Sequence, residues 1–325
     1  MNRPTVAVVA GGVGAARFLR ALAEVWPVEQ TTAVVNTADD TVLHGLHVSP
    51  DIDTVVYTLA GAIDPNRGWG LADESWTAMA SLSRYATVRP PSSRAATTWF
   101  GLGDRDLATH LFRTARLAEG ATLTKVTSEI SAAWQVGQTI LPMTDDPVST
   151  MITLAADGSE ISFQEYFVEQ HHAVEIAAVR VAGADRARPS VAAVEALRCA
   201  SAVVIAPSNP IVSIGPVRSL SGVDEVLADR REAVVAISPL VGGAALKGPA
   251  DRMLGELGHE VSVVGVARLY APIAGTLVID PADADLADRV VAEGMRVVIT
   301  PSVMSQPGVG ASLARQVLSA AGVTH

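Results

Sequence analysis

Six short apolar runs, 5–10, 32–35, 202–206, 233–237, 261–264 and 296–300, constrain this chain more than any other feature. Each is rich in Val, Ile or Ala and stops abruptly at glycine, proline or a polar residue. Almost unbroken runs of this length suit strands of a parallel sheet covered on both faces. Helical spacing lies between them. Phe18, Leu19, Leu22 and Val25 follow the first run, and Leu107, Leu111, Thr114 and Leu117 repeat the pattern before a stop at Gly120. Alternating strand and helix signals predict an open, doubly wound α/β sheet, mostly parallel, with helices on both faces. Aromatic residues make up only 4% of a chain that is 49% hydrophobic, so the core must be built from Ala, Val, Leu and Ile.

The middle of the chain departs from this pattern. Residues 150–154 and 160–163 flank Asp157-Gly158, a strong hairpin signal. We therefore expect a core interrupted by a smaller β-rich insertion: residues 1–140 and 186–325 form the two parts of the core, and 141–185 the insertion. Residues 61–105, rich in Gly, Pro and Arg, read as helices and long loops over the carboxyl edge of the sheet. The segment 84–98 is the expected mobile loop, because Pro90-Pro91-Ser92-Ser93 continues neither regular element.

Composition excludes several classes. One cysteine allows neither a disulfide framework nor a thiolate metal cage. There are 34 acidic against 24 basic residues, a net charge of −10, and no basic run, which argues against nucleic-acid or membrane-surface partners. No stretch reaches the roughly 18 apolar residues of a spanning helix. The first apolar run passes directly into glycines, unlike a signal peptide. The expectation is a soluble cytoplasmic protein.

Chemistry should gather where strands end. After the first run comes Ala10-Gly11-Gly12-Val13-Gly14-Ala15-Ala16-Arg17, which is either a phosphate cradle at a helix N-terminus or a tight strand-to-helix turn. Arg17 stands where a dinucleotide fingerprint would carry its third glycine. After the second run, Asn36-Thr37-Ala38-Asp39-Asp40 offers adjacent carboxylates, suited to Mg2+ or to a solvated acidic turn. Asp51 and Asp53 follow within fifteen residues and open a helical pattern, where Asp53 is a ligand or a helix cap. His44 and His47 lack the companions of a zinc site.

Further along, Trp99-Phe100-Gly101-Leu102-Gly103-Asp104-Arg105-Asp106 leads to His110 and Arg113. Its arginines could grip phosphate bidentately, or its aspartates could cap a helix. Trp69 and Trp99 could stack on a planar ligand or pack beneath loops. Two later strand ends carry Ser208, Asn209 and Ser213, and a glycine-rich loop with Lys247. Both suit a nucleoside and its phosphates.

Taken together these segments resemble the 2-phospho-L-lactate transferase family of coenzyme F-420 biosynthesis, CofD in archaea and FbiA in actinobacteria. The matching blocks are AGGVGAARFL, VVNTADD, HGLHVSPDIDTVVYTLAG, RGWG, GLGDRDLATHLFRT, LPMTDDPVSTMI, APSNPIVSIGP and SPLVGGAALKGPA, in order over about residues 5–270. The HGLHVSPDIDTVVYTLAG and GLGDRDLATHL blocks are the specific ones, and within the family the chain looks most like the actinobacterial phosphoenolpyruvate transferases. A related branch of nucleotide-sugar-binding regulators shares the glycine loop and Asn-x-x-Asp-Asp. That branch follows the aspartates with a Gly/Ser-rich stretch, whereas here Thr41-Val42-Leu43-His44-Gly45 follows Asp40. A nicotinamide-dependent dehydrogenase is disfavoured by the imperfect fingerprint.

The resemblance implies a Rossmann-like core, a homodimer and a Mg2+-dependent reaction. A phospholactyl or phosphoenolpyruvyl group would pass from a guanosine diphosphate ester to the ribityl hydroxyl of Fo (7,8-didemethyl-8-hydroxy-5-deazariboflavin), releasing GMP. For that reaction we expect Mg2+ on some of Asp40, Asp51 and Asp53, with Asp40 and Asp53 catalytic and Asp53 contacting the Fo hydroxyl. Gly11, Gly12 and Gly14, with Lys247 or Arg105, would hold phosphate charge, and Ser208, Asn209 and Ser213 would lie near guanosine. Trp69 or Trp99 would line the deazaflavin, with Asn36, Gly101 and Asp104 completing the substrate set. No covalent intermediate is expected, since Cys199 reads as core.

Overall fold

The computed structural model describes residues 4–323. Among them seven strands form one parallel sheet: β1 (Val6–Ala10), β2 (Thr31–Val35), β5 (Thr139–Pro142), β9 (Ala202–Ile205), β10 (Val234–Ile237), β13 (Thr276–Ile279) and β14 (Arg296–Ile299). Their spatial order is β14-β13-β10-β9-β1-β2-β5. The alternation of side chains along each strand explains the unbroken apolar runs. Ala7 and Val9 of β1, with Val203 and Ile205 of β9, enter one core cluster. Val6 and Val8 of β1, with Ala202 and Val204 of β9, enter a second cluster on the opposite face. On this second face lies helix α1 (Val13–Leu22), whose Phe18, Leu19 and Leu22 are fully buried.

Five of the six apolar runs are strands; 261–264 is not. Ser262 accepts hydrogen bonds from the backbone amides of Val264 and Gly265 and so caps a helix, Val263–Tyr270. The expected strand is supplied instead by β13, while β5 adds an edge strand.

Smaller sheets surround the core. A hairpin of β3 (Thr41–Leu43) and β4 (Leu46–Val48) turns on His44 and Gly45, at φ 54° and 78°. An antiparallel sheet of β6 (Ser149–Leu154), β7 (Glu160–Ser162) and β8 (Ile176–Ala182) carries the Asp157-Gly158 turn. Its apolar face packs on Val212, in the loop after β9, and on Met253. The pair β11 (Leu240–Val241) and β12 (Ala244–Ala245) is a short hairpin beyond β10.

Four further helices complete the first half: α2 (Pro50–Leu59), α3 (Thr77–Ala86), α4 (Asp106–Ala118) and α5 (Leu123–Ala133). Helix α4 contradicts its apolar pattern. It buries Thr109, His110 and Arg113, while Leu111 and Phe112 are exposed. Ion pairing to α2, described below, outweighs the leucine stripe. Cys199 also differs from expectation: Ala193 and Leu197 take the buried face of their helix, which leaves the thiol exposed.

Candidate functional site

Loops from the carboxyl ends of β1, β2, β9, β10 and β14 close around a cleft of about 630 Å3. After β1 the chain runs to β2 and β5 on one side of the sheet, and later to β9 and β10 on the other. The cleft therefore opens at a topological switch point, the ligand-binding position of open α/β sheets.

The glycine loop forms its floor. A Cβ on Gly14 would lie 2.1 Å from the Pro207 carbonyl oxygen, and one on Gly11 2.5 Å from Ser213 Cβ. These two glycines let the β1 and β9 loops meet. Gly12 differs, because its Cβ would meet only the Asp51 carboxylate, at 2.6 Å. Helix α1 starts at Gly12 with no side-chain cap and no acidic residue in its first turn. Its leading N–H groups and partial positive charge suit an anion.

Cations stand beside that helix end. Arg17, Arg67 and Lys247 all line the cleft. Lys247 Nζ donates to the Arg67 carbonyl at 2.8 Å, and burial together with the Arg17 charge lowers the pKa of its ammonium. The Arg67 guanidinium lies 5.3 Å from the ring centres of both Trp69 and Trp76.

Carboxylates form a further wall, with Asp51 against Gly12. The fully buried Asn36 amide donates at 3.0 Å to both Asp39 and Asp51, drawing the β2 end and α2 together. Ser49 donates to Asp40 at 2.6 Å. Asp53 is forked by Arg113 of α4, and His110 lies between Asp53 and Asp106 at 3.7 and 3.3 Å. Tyr57 donates to Asp106 at 2.6 Å. Helix α2 carries Asp51 and Asp53 in its first turn and Tyr57 one turn further on; Asp39 and Asp40 come from the β2 end and Asp106 from α4.

Burial governs the protonation of this wall. It lifts Asp39 well above the usual carboxylate range, aided by the Asp51 charge, and Asp51 to about 6 against its bond from Asn36. It lifts Asp40 to about 8 despite Ser49 and Arg113, and raises Asp53 despite Arg113. Burial works on Asp106 in the same direction, but hydrogen bonding and charge from His110 hold it below its usual range. Carboxylates that resist ionisation together mark a site short of positive charge.

A divalent cation fits that deficit. Asp40 Oδ1 is buried and accepts no hydrogen bond, and the donors are hard oxygens. A second set, Asp53, Asp106 and His110, holds one donor atom each within 4.8 Å of the others. The sequence pointed to Asp40, Asp51 and Asp53 as metal ligands. Of these, Asp51 and Asp53 line the main cleft, whereas Asp40 faces a neighbouring cavity of about 670 Å3. Asp39, Phe163 and Gln164 border both.

The remaining sequence-derived residues divide. Gly12, Gly14, Gly101, Ser208, Asn209, Ser213 and Lys247 line the cleft, as does Trp69. The Asn209 side chain is already engaged, accepting from the Ile211 and Val212 amides. Trp99, Asp104 and Arg105 do not line it. Trp99 packs edge-on to Phe100 in a satellite cluster with Leu43 and Met79. Asp104 accepts from Ser75 and the Thr77 and Ala78 amides at the start of α3, bonds that hold its carboxyl at about 2. Arg105 donates to the Ala72 carbonyl.

Sequence reasoning passed over Arg17, Arg67, Tyr57 and the insertion's Phe163, Phe167 and His172 as site residues, all of which line the cleft. RGWG and the departure from a third glycine were signals for the two arginines; the insertion residues had none.

The profile of the 2-phospho-L-lactate transferase CofD family matches residues 6–309. The chain belongs to the CofD family. A phosphoenolpyruvate transferase of Streptomyces griseus is 42% identical over 97% of this chain and 98% of its own length. Those of Nocardia farcinica and Mycolicibacterium smegmatis are each 38% identical over 98% of this chain, covering 96% and 99% of theirs. A crystal structure of a UPF0052 family protein from Bacillus halodurans superposes with a TM-score of 0.61 at 16% identity, covering 98% of this chain and all of that one. That likeness speaks for the fold. The CofD-family blocks AGGVGA, PDIDT, APSNP and SPLVGGAALKGPA all contribute residues to the cleft.

Proposed function

We propose that this CofD-family chain is a cytoplasmic, homodimeric transferase of coenzyme F-420 biosynthesis that moves a phosphoenolpyruvyl group from enolpyruvyl-diphosphoguanosine to the terminal ribityl hydroxyl of Fo, releasing GMP. The observation that carries this reading is that one cleft brings together a cationic helix end and a set of buried carboxylates, in a chain matched by the family profile nearly throughout. The enolpyruvyl donor is favoured over the lactyl one by the relatives, which are named phosphoenolpyruvate transferases. No helix among the described residues is long and apolar enough to cross a membrane.

Phosphoryl transfer is mainly positioning and charge stabilisation. The Gly12–Gly14 amides, with Arg17, Arg67 and Lys247, bind the diphosphate and hold its charge. Asp40, Asp51 and Asp53 are the residues that would hold Mg2+. Bound there, the cation supplies positive charge against the charge that develops on the phosphate oxygens. Asp53, aimed by Arg113, orients the ribityl hydroxyl and takes its proton. Ser208 and Ser213 border the guanosine.

The test is GMP release from each guanylylated donor, with and without Fo. Fo-dependent release is expected, faster from the enolpyruvyl donor; release indifferent to Fo, or none from either donor, overturns the reading.

A further inference from the structure

β13 lies between β10 and β14 in the sheet, yet the 3-10 turn that follows it, Pro281–Leu286, gives the cleft no lining residue. That turn nevertheless buries Asp283 to 2% exposure. A carboxylate taken from water costs free energy unless hydrogen bonds compensate it. Here the Gly242 amide donates to it at 2.9 Å. Burial raises the pKa of Asp283, and hydrogen bonds from Gly242 and Gly243 oppose that rise.

Those two glycines are the tip of the β11–β12 hairpin. Their φ angles, 59° and 77°, are the left-handed pair that a two-residue hairpin turn requires. The hairpin has just two residue pairs, Leu240 with Ala245 and Val241 with Ala244, and Ala244 is exposed. Two strands this short are not stable by themselves. Both ends of the hairpin run along the cleft: Ser238 and Pro239 precede it, and Leu246 to Ala250 follow it, Lys247 among them. Where the hairpin stands therefore sets where Lys247 enters the cleft. Its other tie, from the Ala245 amide to Asp251, is long at 3.3 Å.

The turn after β13 holds a second loop as well. Asp280, at its start, accepts from the Ser302 amide and hydroxyl at 2.8 and 3.1 Å. Ser302 follows β14 and lines the cleft. Two carboxylates three residues apart thus hold the loops of β10 and β14 from outside the cleft.

We propose that Asp283 is a positioning residue for the phosphates of the nucleotide: it pins the Gly242-Gly243 tip and so fixes the span on which Lys247 reaches them. The identity of that ligand rests on the proposed function. Asp283 touches no substrate; it acts through the hairpin and Lys247.

A double-mutant cycle on the full chain tests this, with GDP and Fo affinities measured by calorimetric titration. Asp283→Ala should weaken GDP binding about threefold to tenfold, the scale of one lost hydrogen bond to a charged group, and leave Fo affinity unchanged. Asp283→Asn, which keeps one acceptor oxygen, should restore most of the GDP affinity. In the Lys247→Ala background Asp283→Ala should add less than about twofold, because residues that act through one another are not additive. If Asp283→Ala does not fold, Asp283→Ser, too short to reach Gly242, runs the same cycle. Unchanged GDP affinity, losses that multiply in the double variant, or Fo affinity lost in parallel overturns the proposal and leaves the proposed function standing. A protein that shows the coupling with GDP but releases no GMP from either donor with Fo overturns the proposed function alone. A wild-type protein that binds no GDP overturns both.

Discussion

Arg113 holds Asp53 by both of its terminal nitrogens, one on each carboxylate oxygen, from a position fully buried beneath the cleft. A carboxylate gripped in this way cannot rotate, so the face it presents to the cleft is fixed by α4. Burial opposes charge on both partners and the pairing favours it: Asp53 raises the pKa of Arg113 against burial, while burial still raises that of Asp53 against Arg113. The polar stripe of α4 is the structural cost of aiming one aspartate.

Removing the arginine should leave an unpaired buried acid. Arg113→Met should destabilise the protein by about 3–5 kcal/mol, the usual consequence of breaking a buried pair from one side. Denaturant unfolding measures it. A change below about 1 kcal/mol would show that the pair contributes no more than a surface ion pair.

Asp53→Asn keeps the shape and loses the charge. Turnover should fall roughly a hundredfold or more, the scale of general acid–base catalysis. Steady-state rates well below the melting temperature of the variant separate this from instability. Near-wild-type turnover would remove Asp53 from the chemistry.

The carboxylate wall makes stability depend on pH. Asp51 and Asp40 rise from 3.8 to about 6 and about 8, so within that window the folded protein keeps protons that the unfolded chain has released. Their contribution to stability therefore falls as pH rises through the window and is flat below it. Metal-free protein should lose melting temperature between about pH 5 and pH 8 relative to Asp40→Ala, and Mg2+ should raise it more at the upper end. A Mg2+ shift that is equal at both ends, or that survives in Asp40→Ala, would reassign the ligands.

Gly12 and Gly14, two residues apart, should respond differently to alanine. Gly14→Ala drives a methyl into the Pro207 backbone, which cannot swing aside, and should cost about 1–3 kcal/mol or more of stability. Gly12→Ala meets only the Asp51 side chain, so it should fold normally and lose nucleotide affinity. Melting curves and GDP titration tell the two apart.

Lys247→Ala should weaken GDP binding roughly tenfold or more, as expected for losing a hydrogen bond to a charged group. Titration calorimetry at low and high salt measures it. An unchanged affinity would place the phosphates elsewhere.

The strand runs were legible because burial on both faces leaves a plain signature, and the carboxyl-edge loops followed from topology. The run at 261–264 misled because four apolar residues look alike in a strand and in a buried first helical turn; only Ser262 distinguished them, by capping. β5 and β13, four residues each like several of the runs that were read, were passed over. In the site, loop residues next to strand ends were readable. Arg113, read as a grip on phosphate, instead pairs with Asp53, and Tyr57 was not read at all, because both matter through a contact between α2 and α4 that no local pattern encodes. The placing of Phe163, Phe167 and His172 along the cleft depends on a π turn and left-handed histidines, neither of which composition announces.

The most direct measurement is the mass of the product formed from Fo, Mg2+ and enolpyruvyl-diphosphoguanosine by the purified protein. The account predicts Fo enlarged by one phosphoenolpyruvyl group, with one GMP released per adduct. Unmodified Fo, under conditions where the same protein demonstrably binds GDP, would contradict it.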